Sequence, residues 1–333
     1  MRNIDDFKIS DVLASQSSEV ISEDKLDDLF VHVELNEKES EHLAAEPYSY
    51  WKSVFKVFMK KPSAKIALVS MALFLLAVFI IPLFAPENIN VSADGVNHLN
   101  QAPSKEFLFG TDSAGRDLFF LCFVGARKSL LLALISSAIN IVIGTLIGLV
   151  WGFFRRLDPI FIEIYNLVSN IPSLLLYMLL AQIFAQALPT VPVEVRLIIS
   201  LTLLGWLGIA RFIRNQTIII TNREYNVASK TLGSSPMRIM MKNLLPYILA
   251  VIITELSLLI PGMISSEVSL SYFGVGLPTQ DIALGVLVKA GVSFVSTYPW
   301  QLLFPGLILA WIIFTFYLFG LALSDALDPK KHR

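Results

Sequence analysis

The chain has 333 residues, of which 55% are hydrophobic and 16% are charged, whereas soluble proteins carry roughly 25% charged residues. This composition excludes a disordered chain, argues against a nucleic-acid binder or an ordinary soluble enzyme, and indicates a polytopic membrane protein. The net charge of −1 hides an asymmetry, because residues 1–50 hold 13 of the 27 acidic residues and only 4 of the 26 basic ones.

The N-terminal part divides into two predicted segments. Residues 1–46 are acidic and lack the basic and apolar regions of a signal peptide, so we expect a cytoplasmic tail, either partly disordered or a docking segment. Residues 47–65 place aromatic side chains at helical spacing among lysines. This pattern predicts an amphipathic helix at the membrane–water interface, with a soluble-partner helix as the weaker alternative.

Six stretches are long and apolar enough to cross a bilayer, which requires about 20 residues per helix. They are residues 66–85, 128–152, 159–188, 195–220, 245–267 and 300–323. In this topology 16 basic residues of 51–333 lie on the side of the termini and 6 on the other, so the positive-inside rule places both termini in the cytoplasm. Residues 66–127 then form the first transmembrane helix and an external loop. Residues 128–323 form a five-helix core that includes a cytoplasmic loop at 221–244, and residues 324–333 form a cytoplasmic tail.

Polar groups inside the predicted spans are candidates for a translocation pathway, because ionisable groups in membrane helices face the bundle interior or a wet cavity. Glu163, Asn166 and Asn170 share one face of span three, and a hydrogen-bonded interhelical cluster is the structural alternative. Pro172 is expected to kink that span near the midplane. The further candidates, in span five, are Glu255 and Glu267.

Two other features of the spans have a structural and a functional interpretation. Gly144, Gly148 and Gly152 form a GxxxG ladder in span two, which predicts close helix packing within the chain or a subunit interface. Arg127 and Lys128, near the outer end of that span, indicate a polar surface facing a partner or a water-filled cavity. The glycines and proline after Glu267 predict a turn that re-enters the membrane or lies across its outer surface.

The loop between spans four and five is polar and, from Glu224, reads EYNVASKTLGSSPMRIMMKNLLP. A helix is predicted from Glu224 to Leu232, and an acidic residue at its start complements the helix dipole. Gly233 can adopt the left-handed conformation that ends a helix, and Ser235 followed by Pro236 is a start signal for a second helix. This helix–turn–helix is either a structural connection or an element that a soluble protein grips to transmit force.

The loop resembles the EAA motif of ABC importer permeases, which is E-A-A, three residues, G, nine residues, I, one residue and L-P. Five positions fit this spacing, namely Ala228, Ser229, Gly233, Leu245 and Pro246. Val227 replaces the Glu of the motif, although Glu224 lies one turn earlier, and Asn243 replaces the Ile. In this family the element is a coupling helix that docks into a groove of the ATPase subunit.

Further motifs resemble the oligopeptide and dipeptide branch of that family. They are FGTDSAGRD at 109–117, the run from Glu267 to Pro278 and the ending DALDP at 325–329. The opening at 47–61 resembles the peptide permeases of Gram-positive bacteria. The resemblance covers about residues 47–333 and is greatest to the C-type permease subunit.

The resemblance implies an all-α chain with the type I permease fold, which forms half of the pathway of an oligopeptide importer in the bacterial plasma membrane. Its implied partners are a homologous B-type permease, two ABC ATPases, an external peptide-binding lipoprotein and membrane lipid, with no nucleic acid. ATP and Mg²⁺ are assigned to the ATPases, because the chain has no G-x-x-x-x-G-K-[ST] loop. The residues expected to dock the ATPase are Glu224, Tyr225, Ala228, Ser229, Leu232, Gly233, Ser235 and Pro236.

Other functions fit the sequence less well. Related permeases carry dipeptides, nickel or other small solutes, so the solute is less securely indicated than the class. An ion-driven secondary transporter often shows internal repeats, and none is evident here. An intramembrane enzyme is disfavoured because no catalytic motif is present and no histidine lies in a predicted span. A single cysteine, Cys122, argues against a multi-cysteine metal site. We therefore expect no catalytic and no metal-binding residues.

Overall fold

A computed structural model of the protein describes residues 50–85 and 98–327. Regular structure in these ranges is helical, apart from one isolated bridge between Thr111 and Asp117. The predicted all-α class is therefore confirmed. The predicted tail at 1–46 and residues 328–333 lie outside the described residues.

The helices are numbered here in chain order. They are α1 Tyr50–Lys60, α2 Pro62–Ile80, α3 Leu118–Phe153, α4 Asp158–Ser169, α5 Ser173–Ala187, α6 Val193–Leu203, α7 Trp206–Thr221, α8 Glu224–Thr231, α9 Pro236–Arg238, α10 Leu245–Tyr272, α11 Leu284–Phe294 and α12 Trp300–Leu327. A short 3₁₀ helix, Ile81–Phe84, extends α2, and a π-helical stretch, Ile239–Leu244, joins α9 to α10.

Five segments in the described ranges are long and apolar enough to cross a membrane: Pro62–Phe84, Leu118–Phe153, Val193–Thr221, Pro236–Tyr272 and Trp300–Leu327. The chain is thus a multi-pass membrane protein. The single kinked span expected at 159–188 is wrong in shape, because Arg155–Ser169 and Ser173–Ala187 meet at 88°. Pro172 precedes α5 with extended backbone angles, and a proline disfavours helical geometry in the residue before it. Counted as one span, this bent pair completes the predicted six.

Helix α3 begins ten residues before its predicted start at 128, because a capping residue stands further upstream. The Asp117 side chain accepts a 2.8 Å hydrogen bond from the Phe119 amide, which satisfies a donor that a helix N-terminus leaves free. At 36 residues, α3 is the longest uninterrupted helix in the described ranges, and it contacts α7, α10, α11 and α12.

The glycine ladder lies between α3 and α7. A Cβ atom on Gly144 would lie 2.7 Å from Ile209, one on Gly148 would lie 2.6 Å from the Ala210 carbonyl, and one on Gly152 would lie 2.6 Å from Thr217. Only hydrogen at these three positions allows the two backbones to come so close. Of the two interpretations left open by the sequence, the structure supports packing within the chain.

The amphipathic helix predicted near the N-terminus forms as α1 and packs on the C-terminal end of α12. Val54 and Phe58 are buried, and the Phe58 ring meets the Phe319 ring edge-on at 5.8 Å. The Lys61 ammonium pairs with Asp325 at 2.7 Å. These contacts join both ends of the described chain, while the interfacial position of α1 stays a prediction.

The turn predicted after Glu267 ends α10 and leads into the short apolar helix α11. Gly274 has φ +80°, and the amide of Val275 donates to the Leu270 carbonyl at 3.0 Å, which is the left-handed cap typical of glycine. Leu284 and Leu287 of α11 are buried in the main core. The sequence analysis predicted the turn and missed the helix.

Candidate functional site

The coupling segment, residues 222–246, leaves the end of α7, forms α8 and returns through α9 into α10. Its helix ends at Thr231, with Leu232 as the cap, so the predicted helix is confirmed to within one residue. Gly233 has φ +83° and open space around its α-carbon, so backbone conformation rather than crowding requires a glycine here.

Hydrogen bonds fix the turn between α8 and α9. The Ser234 amide donates to the Ser229 carbonyl and the Gly233 amide to the Lys230 carbonyl, both at 3.1 Å, which is the Schellman pattern. The Ser235 hydroxyl accepts from the Arg238 amide at 3.4 Å, which confirms the predicted start signal. The turn is therefore set by its own backbone and needs no partner to hold its shape.

Two asparagines tie α8 to the helices on either side. The side-chain Nδ2 of Asn226 donates to the Ile220 carbonyl at the end of α7 at 2.8 Å, and the side-chain Nδ2 of Asn243 donates to the Asn226 Oδ1 at 3.0 Å. Asn226 is 2% exposed. The departure from the EAA pattern at Asn243 thus has a structural role, because it supplies the donor that this buried oxygen requires.

Apolar side chains of the coupling segment project away from the rest of the chain. Leu232 is 86% exposed and Met237 is 65% exposed, with Val227 and Tyr225 close to half exposed. The predicted docking residues Glu224, Ala228, Gly233, Ser235 and Pro236 are exposed as well, while Ser229 is partly buried and donates to Ser234. The segment thus carries a cluster of exposed apolar side chains, and their docking to an ATPase stays a prediction.

The polar residues predicted in span three lie on the exposed side of α4. Glu163 and Asn166 belong to the helix and Asn170 caps its end; all three are exposed in this chain. The opposite side of α4 packs through Phe161, which stacks on Trp151 at 5.2 Å. The three polar side chains are thus brought together, and their contact with a solute stays a prediction.

The contact between α4 and α7 contains residues that the sequence analysis did not select. The Arg211 guanidinium of α7 lies 4.2 Å from the centre of the Tyr165 ring of α4. One turn further along α7, Arg214 makes two bonds to Asp158, at 3.0 and 2.7 Å. The sequence did contain a signal for Arg211, because an ionisable side chain well inside a predicted span is a candidate functional group.

The two acidic candidates of span five have different environments. Glu255 is partly buried in α10. Glu267 has no exposed surface and accepts a 2.9 Å bond from Ser271, whose hydroxyl in turn accepts from the Leu277 amide at 3.1 Å. This geometry connects Glu267 to the turn after α10. A pathway role for either residue stays a prediction, and in this conformation Glu267 offers no surface to a solute.

Lys128, which was expected to face a partner or a water-filled cavity, forms two salt bridges within the chain. Its ammonium lies 2.8 Å from Asp281 and 2.9 Å from Glu194. The three residues belong to α3, the connection before α11, and α6. They join three parts of the fold at the end of the bundle opposite the coupling segment.

The FGTDSAGRD motif forms a compact turn at the same end of the bundle. Arg116 pairs with Asp112 at 2.6 Å, and the Thr111 carbonyl accepts from the side chains of Trp300 and Gln301 at the start of α12. The motif therefore anchors the segment before α3 to the last span. Across the described residues, no group of three His, Cys, Asp or Glu side chains is placed to hold a metal ion.

Comparisons with known proteins place this geometry in a family. The model of the family "Binding-protein-dependent transport system inner membrane component" matches residues 140–333. A second model, "N-terminal TM domain of oligopeptide transport permease C", matches residues 49–103.

Three relatives are similar over nearly their whole length. The chain is 37% identical to the oligopeptide transport system permease protein AmiD of Streptococcus pneumoniae over 91% of this chain and 97% of that protein. It is 32% identical to the permease protein OppC of Bacillus subtilis, over 92% and 98%, and 34% identical to the dipeptide permease protein DppC of the same species, over 92% and 94%. The chain belongs to the family of binding-protein-dependent transport system inner membrane components.

Proposed function

We propose that the chain forms half of the translocation pathway of an ATP-driven importer of oligopeptides and couples to ATPase subunits through residues 222–246. The family and the relatives named as oligopeptide permeases support the transport class. The observation that carries the coupling role is the coupling segment itself, a self-capped turn that presents exposed apolar side chains.

Two features of the chain support the presence of further subunits: it has no phosphate loop, and a polar face of α4 is exposed. Its sequence contains no Gly-Lys pair and hence no phosphate loop, so ATP and Mg²⁺ are bound by two partner ATPases. The exposed polar face of α4 requires a second, homologous permease to close the pathway, because Glu163 in a membrane helix is costly against lipid. An external peptide-binding lipoprotein delivers the solute. Both termini lie in the cytoplasm of a bacterium, on the same side as the coupling segment.

ATP drives transport in this scheme only if nucleotide changes the relative stability of two conformations of the permease pair. The coupling segment is suited to pass on that change. It is tied to the end of α7 by Asn226 and continues into α10 without a break in the helix. A displacement of the ATPase surface therefore reaches two membrane helices directly.

The test is recovery and activity of the assembled complex with Leu232→Asp. A charge on this 86% exposed side chain should lower recovery of the ATPases by at least tenfold while membrane insertion stays intact. Leu108→Asp is the matched control, because Leu108 is 58% exposed at the other end of the bundle. Unchanged ATPase recovery with Leu232→Asp would contradict the docking assignment.

Dipeptide uptake is the second candidate, because the relative named as a dipeptide permease is 34% identical over 92% of the chain. A peptide series from two to six residues, offered to the reconstituted transporter, separates the two. Uptake that peaks at four residues or more supports the oligopeptide assignment, and uptake confined to dipeptides replaces it.

A further inference from the structure

An arginine that is exposed on the surface of this chain lies deep inside one membrane span. Arg211 is ten residues from the end of α7 at Thr221, which at 1.5 Å per residue is about 15 Å along the helix. A charged side chain at such depth faces the interior of a bundle or a wet cavity and marks a functional site.

The charges around Arg211 do not balance. Asp158 is the acidic group of this cluster, and Arg214 occupies both of its carboxylate oxygens, one of which also accepts from the Trp151 indole at 2.8 Å. No described acidic side chain forms a salt bridge with Arg211. Glu163 lies two residues from Tyr165 on α4, so it projects to the other side of that helix. Arg155 also interacts electrostatically with Asp158, so the arginines of this cluster outnumber its described acidic side chain.

Tyr165 contacts Arg211 and lines two cavities, of which Arg211 lines the smaller one. The ring lies 4.2 Å from the Arg211 guanidinium, within the range of a cation–π contact, so it orients the group without neutralising it. A cavity of about 110 Å³ has a polar lining: Trp151, Ile162, Tyr165, Arg211, Arg214 and Asn215. A second cavity of about 350 Å³ shares Tyr165 and continues along the bend, past Leu176, Tyr177 and Gly208.

From this arrangement we infer that Arg211 binds a carboxylate of the transported peptide, its C-terminal group, while the larger cavity receives the adjoining residue. A planar guanidinium pairs with a carboxylate through two parallel hydrogen bonds, which suits it better to this group than to a point charge. The larger cavity is lined by apolar, aromatic and small residues such as Leu176, Tyr177 and Gly208, which suits an apolar side chain on the peptide residue next to the C-terminal carboxylate. This site rests on the proposed peptide transport and specifies which part of the peptide the permease contacts.

The test compares two forms of one peptide in the reconstituted complex. A pentapeptide without acidic side chains is supplied either as the free acid or as the C-terminal amide, and the ratio of the two transport rates is measured. The external binding protein is the same for every variant, so its own preference cancels when variant and wild-type ratios are compared. Arg211→Gln should lower the acid-to-amide ratio about tenfold.

Further variants separate a contact from a structural role. Arg211→Lys should restore part of the ratio, and Tyr165→Leu should lower it two- to threefold, because only the orientation of the charge is lost. Arg196→Gln is the control, since Arg196 is a partly exposed arginine of the same span that donates to the Ala185 carbonyl and lies outside the Arg211 cluster. Its ratio should equal that of the wild type.

Each contrary outcome has a distinct meaning. Equal slowing of both peptides by Arg211→Gln overturns the carboxylate site, and so does an unchanged ratio. Loss of a bound anionic lipid from Arg211→Gln in native mass spectrometry, with equal effects on both peptides, would assign the arginine to lipid phosphate instead. An assembled wild-type complex that moves neither peptide overturns the proposed function itself, and the inference with it.

Discussion

The side chain of Asn243 donates a hydrogen bond to the side-chain oxygen of Asn226 across the coupling segment, at 3.0 Å. This bond joins the π-helical stretch before α10 to the first turn of α8. Here the EAA-like loop departs from its pattern and gains a contact that the usual isoleucine would not make.

Replacing Asn243 with Ile should therefore harm the protein, although it restores the apolar residue of the motif. The buried oxygen of Asn226 would lose its donor, at a cost of about 1–3 kcal/mol. The unfolding temperature of the purified complex and the rate of ATP-driven uptake should both decrease. Lys242→Gln, an exposed neighbour, serves as the control. A stability equal to wild type would show that water replaces the lost donor.

Gly233→Val should uncouple ATP hydrolysis from uptake without preventing membrane insertion. The position has φ +83°, and a β-branched residue there costs about 1–2 kcal/mol, which the turn avoids by changing shape. The measurement is uptake per ATP hydrolysed. Gly233→Asn is the matched variant, since asparagine tolerates this conformation, and it should retain most activity. Normal coupling in the valine variant would contradict a rigid turn.

Glu224→Lys should weaken ATPase binding by a few fold, a smaller effect than that of Leu232→Asp. The side chain is exposed at the first turn of α8, where a negative charge also stabilises the helix N-terminus by about 0.3–1 kcal/mol. Recovery of ATPases at two salt concentrations separates an ion pair from a helix effect. Glu106→Lys, at the opposite end of the bundle, should leave recovery unchanged.

Gly148→Leu should prevent correct folding. A Cβ at this position would lie 2.6 Å from the Ala210 carbonyl and 3.1 Å from its α-carbon, and backbone atoms cannot rotate away as a side chain can. Yield of folded protein in detergent should fall to near zero. Gly262→Leu is the control, because no atom lies within 4 Å of the position of its Cβ. Equal yields would mean that α3 and α7 separate readily.

Lys128→Met should destabilise the end of the bundle opposite the coupling segment by about 1–2 kcal/mol, because it leaves Glu194 and Asp281 without their cation. The side chains are one quarter to two fifths exposed, which limits the cost. Adding Glu194→Gln and Asp281→Asn should restore the unfolding temperature. Failure of the triple variant to recover would show that Lys128 has contacts beyond this cluster.

Features that depend on local chemistry could be predicted from the sequence. The helix, turn and second helix of the coupling segment follow from Glu224, Gly233, Ser235 and Pro236, because caps and left-handed turns act over a few residues. The number of spans follows from apolar length in the same way.

Features that depend on tertiary contacts could not be predicted. The 88° angle between α4 and α5 is one example, because the proline at 172 indicates where a helix bends but not by how much. The contact of Arg211 with Tyr165 joins two different helices, so no pattern in the sequence indicated it. The double pairing of Lys128 joins residues 66 and 153 positions apart, which no spacing rule relates.

The glycine ladder lets α3 and α7 pack so closely that we expect the two helices to move as one rigid unit. The C-terminal end of α7 continues into the coupling segment, and the middle of α7 carries Arg211, whose guanidinium lies beside Tyr165. A displacement of the coupling segment by an ATPase would thus move the proposed carboxylate-binding Arg211 relative to α4, because tightly packed helices transmit strain. The same close approach that excludes side chains at Gly144, Gly148 and Gly152 would then link the position of Arg211 to the nucleotide state of the ATPases.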